Sequence, residues 1–255
     1  VAPVGGTSLD RWKVPKLSMK LVFRGAYGPS QLRYPLFDDP EATDWFDQII
    51  LEARANNVWY HASSGQNRLA QYTRDQFASD LQNAMGGYGT HGRPVHLYIN
   101  GLYWGLYWIH ERPDESFAAA YLGGEPEDYD VLKHTASLVV NGVQTAVSSY
   151  QQLLGVPATD FERLTQHLDV PNFIDYIILH TYLGNSDWAH KNWYASRNRY
   201  DPAGRWRFHS WDNEHIMEGV GENATANDGS STPTGIHHKW MANLEYAMCL
   251  SLIHI

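Results

Sequence analysis

The feature that most constrains the fold is a pair of apolar runs, residues 94–99 and 102–109, joined by Asn100 and Gly101. Both runs are rich in aromatic and aliphatic residues, which favour strands. Asn-Gly favours a type I′ turn because both residues tolerate a positive φ, and this turn links two antiparallel strands. The chain is therefore predicted to contain a β-hairpin and, with it, an antiparallel sheet.

The rest of the N-terminal half contains a further strand pattern and a helix pattern. Residues 17–23 alternate apolar and polar side chains, as expected of a half-buried strand. A helix is predicted from Thr73 to about Met85, which two glycines follow. Thr73 and Gln76 fit a capping box, in which each side chain bonds the backbone N–H of the other residue. This half of the chain is therefore predicted to be strand-rich.

The C-terminal half is predicted to be mainly helical, with short strands. Residues 171–183 carry apolar side chains at helical spacing and follow Asp169, a capping residue. Short strands are predicted at residues 129–134, 192–199 and 205–211. Because strands dominate the first half and helices the second, the chain is predicted to adopt an α+β fold with two lobes.

Charge and composition exclude several classes of function. The formal net charge is −9, so no basic surface for nucleic acid is expected. No apolar run reaches the ~18 residues that predict a membrane span. The single cysteine, Cys249, excludes a disulfide framework and a cysteine-based metal site. The chain is thus expected to bind neither nucleic acid nor a membrane through a spanning helix.

The two ends of the sequence are unusual. The chain begins at Val1 rather than Met, and residues 250–255 correspond to one reading frame of a sequencing-library transposon end. We therefore expect one domain over residues 1–249, truncated at both ends. Residues 250–255 are expected to be foreign to the protein.

Three polar residues in the C-terminal half have the spacing of a phosphoryl-transfer site. Asp187 precedes Asn192 by five positions, and Asp212 follows the next pair of predicted strands. Kinases use one Asp to orient the attacking hydroxyl, and an Asn and a second Asp to hold the metal ions that bridge the phosphates. If this interpretation is right, the carboxylates of Asp187 and Asp212 and the amide oxygen of Asn192 converge.

Other interpretations of these residues stay open at this point. Asp-x-x-x-x-Asn is a common pattern, and the simplest alternative is a capping Asp followed by a turn Asn. A second alternative is a glycoside hydrolase in which Asp187 and Asp212 are the carboxylate pair. A third is a metallohydrolase, although no zinc-type spacing is found and imidazole suits zinc rather than magnesium. The histidines near the two aspartates are His180, His190, His209 and His215.

The chain resembles a known family, the CotH kinases, named for spore coat protein H of spore-forming bacteria. The most specific part of the resemblance is the hairpin with its Tyr-Trp-Gly-Leu-Tyr segment, residues 103–107. The resemblance also covers residues 16–21, 27–28, 34–37, 74–75, 129–133 and 185–212, and the hairpin segment continues to Glu111.

The resemblance implies an atypical protein-kinase-like fold that transfers the γ-phosphate of ATP, with Mg²⁺ or Mn²⁺, to serine or threonine of a protein. It implies that Asp187 is catalytic and that Asn192 and Asp212 bind metal. Glu214 is similar to the second acid of the family's Trp-Asp-x-Asp signature, with Glu in place of Asp, and is included as a metal ligand. The substrate class is that of coat or surface proteins.

The residues that bind the phosphates are harder to assign, since the chain has no glycine-rich phosphate loop. Lys16, Lys20 and Lys133 are the candidates. Glu111 is the candidate partner of one of them, as kinases position the phosphates with a lysine–glutamate pair.

The resemblance also leaves a non-enzymatic alternative. Related chains occur on cell surfaces and in secreted multi-domain proteins, so the same fold could serve as an adhesion or scaffold module. This favours a secreted or cell-surface location, although the compartment itself stays open. Binding of ATP with Mg²⁺ distinguishes the enzyme from the module.

Overall fold

The structure, a computed structural model, describes residues 1–5, 14–157, 159–188 and 191–219. Of the polar tract at residues 219–234, only Gly219 is described, and residues 250–255 lie outside the described part. The strands are β1 (Ala2–Pro3), β2 (Met19–Val22), β3 (Leu32–Arg33), β4 (Trp45–Phe46), β5 (Gln48–Glu52), β6 (Gly92–Ile99), β7 (Leu102–His110), β8 (Tyr129–Lys133), β9 (Thr135–Asn141), β10 (Trp193–Asn198) and β11 (Arg207–Ser210). The α-helices are α1 (Ser64–Arg68), α2 (Arg74–Ala84), α3 (Glu115–Leu122), α4 (Val143–Gly155), α5 (Phe161–His167) and α6 (Val170–Tyr182).

The predicted hairpin is confirmed as β6 and β7. Asn100 and Gly101 both have positive φ, 51° and 78°, as a type I′ turn requires. The strands pair in antiparallel register from Ile99 opposite Leu102 to Gly92 opposite His110. They form one edge of a five-stranded antiparallel sheet with the order β1-β2-β5-β7-β6.

The second sheet has four antiparallel strands in the order β11-β10-β8-β9. Its buried residues pack against helices α4, α5 and α6 in the largest core cluster, where Tyr150 of α4, Phe173 of α6 and Trp193 of β10 are fully buried. With its helices and antiparallel sheets, the described part of the chain confirms the α+β class. The first half is strand-rich, while the described part of the second half holds the three helices α4, α5 and α6 and a sheet of its own.

Of the two predicted helix caps, one is confirmed and the other is wrong. Asp169 caps α6 as predicted, and its carboxylate accepts a hydrogen bond from the backbone N–H of Asn172 at 3.3 Å. The capping box of Thr73 and Gln76 is wrong, because neither side chain bonds the helix start. Gln76 is buried and instead donates to the carbonyl oxygen of Thr90 at 3.0 Å. A buried carbonyl needs a donor more than an exposed helix end does, since water can satisfy the helix end.

The two larger sheets face each other across a cleft. The strand β5 and the end of β7 contribute to one wall, while β8, β10 and the loop after β11 contribute to the other. Within the described part of the chain, each helix is too short or too polar to cross a bilayer.

Candidate functional site

The cleft between the two sheets has a volume of about 700 Å³. One wall carries Ile50 and Glu52 of β5, and the opposite wall carries Lys133 of β8 and Asn192 just before β10. This volume is in the range of pockets that enclose a small molecule of cofactor size. Both acidic and basic side chains line the cleft.

Three carboxylates converge in the cleft and form an acidic triangle of Glu52, Asp212 and Glu214. One oxygen from each residue lies within 4.8 Å of the others. Glu52 is the last residue of β5, whereas Asp212 and Glu214 lie in the loop after β11. Carboxylate oxygens converging on one point are the donor set that Mg²⁺ or Mn²⁺ prefers, so these residues fit such an ion.

The electrostatics of the acidic triangle support the same fit. Burial and, after it, the neighbouring carboxylates of Glu52 and Asp75 raise the pKa of Asp212 to about 7, and the Arg54 guanidinium offsets only part of this rise. The pKa of Glu214 is raised for the same reasons, burial first and the Asp212 and Glu52 charges next. A divalent cation between these oxygens would relieve both the repulsion and the cost of burial.

Asn192 connects the two loops that carry Asp187 and Asp212. Its Nδ2 donates to the carbonyl oxygen of Asp187 at 3.1 Å, to Oδ2 of Asp187 at 3.1 Å and to the carbonyl oxygen of Asp212 at 3.3 Å. Asn192 and Asp212 both have positive φ, 62° and 59°, a conformation that Asn and Asp adopt more readily than other side chains. Asn192 therefore contacts the loops of both aspartates, but it does so through its amide nitrogen, whereas the metal-ligand role predicted for it requires the amide oxygen.

Asp187 lies beside the acidic triangle but does not belong to it. Its Oδ1 forms an ion pair with Nζ of Lys191 at 3.0 Å, and its backbone N–H donates to Oδ1 of Asn185 at 3.1 Å. The side chain is partly exposed. A carboxylate in this place can accept a proton from a bound hydroxyl without being a metal ligand.

Lys20, Arg112 and Lys133 form a basic group at the cleft, near enough for their charges to act on one another. Burial lowers the pKa of Lys133, and the nearby charges of Arg112 and Lys20 lower it further. Lys20 of β2 lies directly opposite Ile50, so both side chains project from the cleft face of the sheet. Like charges held this close favour an anion, and phosphate groups would fit.

Two predicted phosphate-site residues lie elsewhere. Nζ of Lys16 donates to the carbonyl oxygen of Leu106 and lies over the ring of Tyr107, 4.4 Å from its centroid. The expected pairing of Glu111 with a lysine is not met among the described residues. Its buried carboxylate instead accepts hydrogen bonds from the backbone N–H of His91 at 2.8 Å and from the Tyr121 hydroxyl at 2.7 Å. Glu111 therefore satisfies buried donors.

Sequence reasoning missed Glu52 and Arg112. Glu52 ends the apolar run of β5, and an acid at the end of a buried strand was the available signal. Arg112 lies two residues beyond β7, lines the cleft and donates from Nε to the Tyr194 hydroxyl at 3.0 Å. Both residues are far in sequence from the groups that they meet.

The sequence model of the CotH kinase protein family matches residues 59–251. The chain belongs to this family. The matched region contains Lys133, Asp187, Asn192 and Asp212, whereas Glu52 precedes it. No curated protein sequence is significantly similar to the chain.

Two histidines of the CotH domain are held neutral by their surroundings. Nδ1 of His134, at the cleft, accepts the backbone N–H of Asn192 at 2.8 Å, and burial together with the Lys133 and Lys191 charges lowers its pKa to about 4. His209 is fully buried, and burial lowers its pKa to about 4 as well. Among the described residues, the one group that could hold a metal consists of carboxylates, which gives the histidine-ligated alternative no support.

The pH dependence of stability should report the buried imidazole of His209. Its pKa rises from about 4 in the folded state to 6.5 on unfolding, so the unfolded chain binds more protons between these values and stability falls as the pH is lowered. We expect a loss of about 2 kcal/mol from this residue between pH 7 and pH 5. The free energy of unfolding in urea, measured at both pH values, checks this. In His209→Gln, the difference between the two pH values should be smaller by about this amount. Equal pH differences in the two proteins would contradict it.

Proposed function

We propose that the chain transfers the γ-phosphoryl group of ATP, with Mg²⁺ or Mn²⁺, to serine or threonine hydroxyls of a protein. The observation that carries the proposal is the acidic triangle beside Asp187, with Asn192 bonded to both the Asp187 and Asp212 loops. Membership of the CotH kinase protein family supports the same reaction. The two sheets across the cleft would then correspond to the two lobes of an atypical kinase.

The residues divide into three roles. Glu52, Asp212 and Glu214 would hold the divalent ion, with Asn192 fixing the loop that carries Asp212. When bound, the ion neutralises charge on the transferring phosphate. The carboxylate of Asp187 would orient the acceptor hydroxyl and receive its proton. Because Asp187 is outside the acidic triangle, its role is separable from that of the metal ligands.

The basic group would bind the phosphates of ATP. Lys133 and Lys20 were predicted for this role, and Arg112 joins them because it lines the cleft and lowers the pKa of both lysines. Arginine suits a phosphate because its planar fork can donate two parallel hydrogen bonds. An acidic chain thus concentrates positive charge where the substrate carries negative charge.

The acceptor and the location follow from the family resemblance. We propose a coat or surface protein as the acceptor and a secreted or cell-surface location for the enzyme. Glycoside hydrolysis by Asp187 and Asp212 has less support, since it leaves Asn192 and the basic group without a role.

A transfer assay with labelled ATP tests the proposal. The wild-type chain with Mg²⁺ should transfer label from the γ-position to an acceptor protein or to itself. Lys133→Met should reduce transfer at low ATP by about tenfold or more, because one charge-assisted phosphate contact is lost. Asp38→Asn is the matched control, since its side chain is 92 % exposed and pairs with Arg93 away from the cleft.

A binding module is the other outcome of that assay. Exposed aromatic residues at the β6–β7 hairpin favour it, with Tyr98 62 % and Trp104 52 % exposed. A chain that shows neither label transfer nor a thermal shift with ATP and Mg²⁺ would contradict the kinase proposal and support the module.

A further inference from the structure

A largely buried network of polar contacts connects the acidic triangle to Asp187. It begins at Arg54, which is only 4 % exposed and whose Nη1 contacts Oε2 of Glu52 at 2.7 Å and Oδ2 of Asp75 at 2.9 Å. Arg54 has a positive φ of 59°, which is uncommon for a long side chain. Burying an arginine costs desolvation energy that ion pairs can offset, and here two acids contact its Nη1.

Asp75 connects Arg54 to the loop that carries Asp212 and Glu214. It lies in the first turn of α2, and its Oδ1 accepts the backbone N–H of Asn213 at 2.6 Å and the Asn213 Nδ2 at 3.2 Å. Asn213 is fully buried between Asp212 and Glu214 in sequence. The position of both carboxylates is therefore tied to Asp75.

Asn185 connects this network to the loop that carries Asp187. Its Nδ2 donates to Oδ1 of Asn213 at 3.0 Å, and its Oδ1 accepts the backbone N–H of Asp187 at 3.1 Å. The side chain of Asn185 is 1 % exposed. Glu52, Arg54, Asp75, Asn213, Asn185 and Asp187 are thus joined by consecutive polar contacts.

We propose that Arg54, Asp75 and Asn185 are positioning residues through which metal binding at the acidic triangle orders the Asp187 loop. The inference rests on the proposed function for its catalytic consequence, but the coupling itself needs only a metal ion. Moving Asp212 and Glu214 toward a cation moves Asn213 between them. Because buried hydrogen bonds are costly to leave unmade, Asn185 and the Asp187 backbone follow.

Hydrogen exchange with MgCl₂ alone tests the coupling without any phosphoryl transfer. In the wild type, Mg²⁺ should slow exchange at the backbone N–H of Asp187 by about tenfold or more. Asp75→Asn keeps the size of the side chain but removes its charge, and it should abolish this protection and raise the Mg²⁺ concentration needed for half-maximal thermal shift about tenfold. Asn185→Ala should also abolish the protection while leaving the Mg²⁺ midpoint within about twofold. This pattern separates coupling from a loss of fold.

Asp80→Asn is the matched control, because Asp80 lies on the same helix, is exposed and bonds only Gln76 among the contacts described, at 2.8 Å. It should behave as the wild type. Protection at Asp187 that persists in Asp75→Asn, or that Mg²⁺ never produces in the wild type, would overturn the inference. Protection that depends on Asp75 in a chain that transfers no phosphate would sustain the coupling and overturn the proposed function instead.

Steady-state kinetics test the effect of Asp75 and Asn185 on catalysis. At saturating Mg²⁺, Asp75→Asn and Asn185→Ala should each lower kcat by about tenfold while KM for ATP changes little, because the positioning residues act on Asp187 and not on the phosphates. In the double variant, the loss in kcat should be smaller than the product of the two single losses, since both substitutions interrupt the same series of polar contacts. A loss in kcat equal to that product would contradict a shared series of contacts.

Discussion

Replacing Asp212 with Asn is expected to lower phosphoryl transfer by at least about a hundredfold and, at the same time, to make the metal-free protein more stable. Asn adopts the positive φ of this position as readily as Asp, so the loop is retained. It removes a negative charge from the acidic triangle, which weakens metal binding. The opposite signs of the two effects separate a metal ligand from a structural acid.

The sign of the stability effect follows from the pKa of Asp212, about 7. A carboxyl whose pKa is higher in the folded state than in the unfolded one destabilises the fold once it is ionised, and the cost grows between about pH 4 and pH 7. At pH 8 without metal, the thermal midpoint of Asp212→Asn should therefore exceed that of the wild type by a few degrees. Adding Mg²⁺ should reverse the order. A variant that is less stable than the wild type in both conditions would contradict this account.

Replacing Asp187 with Asn is expected to lower kcat by about a hundredfold or more while binding of ATP and Mg²⁺ is retained. The carboxamide oxygen can still accept the hydrogen bond from Nδ2 of Asn192, so the loop keeps its shape. The substitution removes the negative charge that, in the proposed reaction, would receive the proton of the acceptor hydroxyl. Label transfer measures the first effect, and the thermal shift with ATP and Mg²⁺ measures the second.

The matched control for this variant is Ser186→Ala. Ser186 is the preceding residue, and its side chain bonds only weakly to the carbonyl oxygen of His215, at 3.4 Å. It should keep kcat within about twofold of the wild type. Loss of the thermal shift in Asp187→Asn would move Asp187 into the metal site and contradict the division of roles proposed above.

Together the two variants distinguish the enzyme from a non-catalytic module. The module requires neither a base nor a metal, so neither substitution would change its binding partner. The kinase requires both, and it requires them separately. In the proposed kinase, Asp212 would hold the metal ion of the acidic triangle, whereas Asp187 would act on a hydroxyl beside it.

Local features were determined by the sequence itself. Asn100 and Gly101 specify a turn that the chain can form without help from distant residues, and the adjacent apolar runs then pair as antiparallel strands, with one shift of register between Leu97 and Tyr98. Asp169 likewise caps α6 through a bond to a residue only three positions away. The grouping of Asp187, Asn192 and Asp212 was also predictable, since a short loop and one hairpin separate them in the chain.

The tertiary structure alone decided which distant residues complete the site. Glu52 meets Asp212 only because β5 and the loop after β11 face the same cleft, and periodicity within either segment carries no information about that. Glu111 was predicted to pair with a lysine, but its buried carboxylate instead accepts hydrogen bonds from His91 and Tyr121. Hydrogen bonding within a turn depends on neighbours in sequence, whereas convergence of charges depends on how two sheets pack, and that is fixed by the whole core.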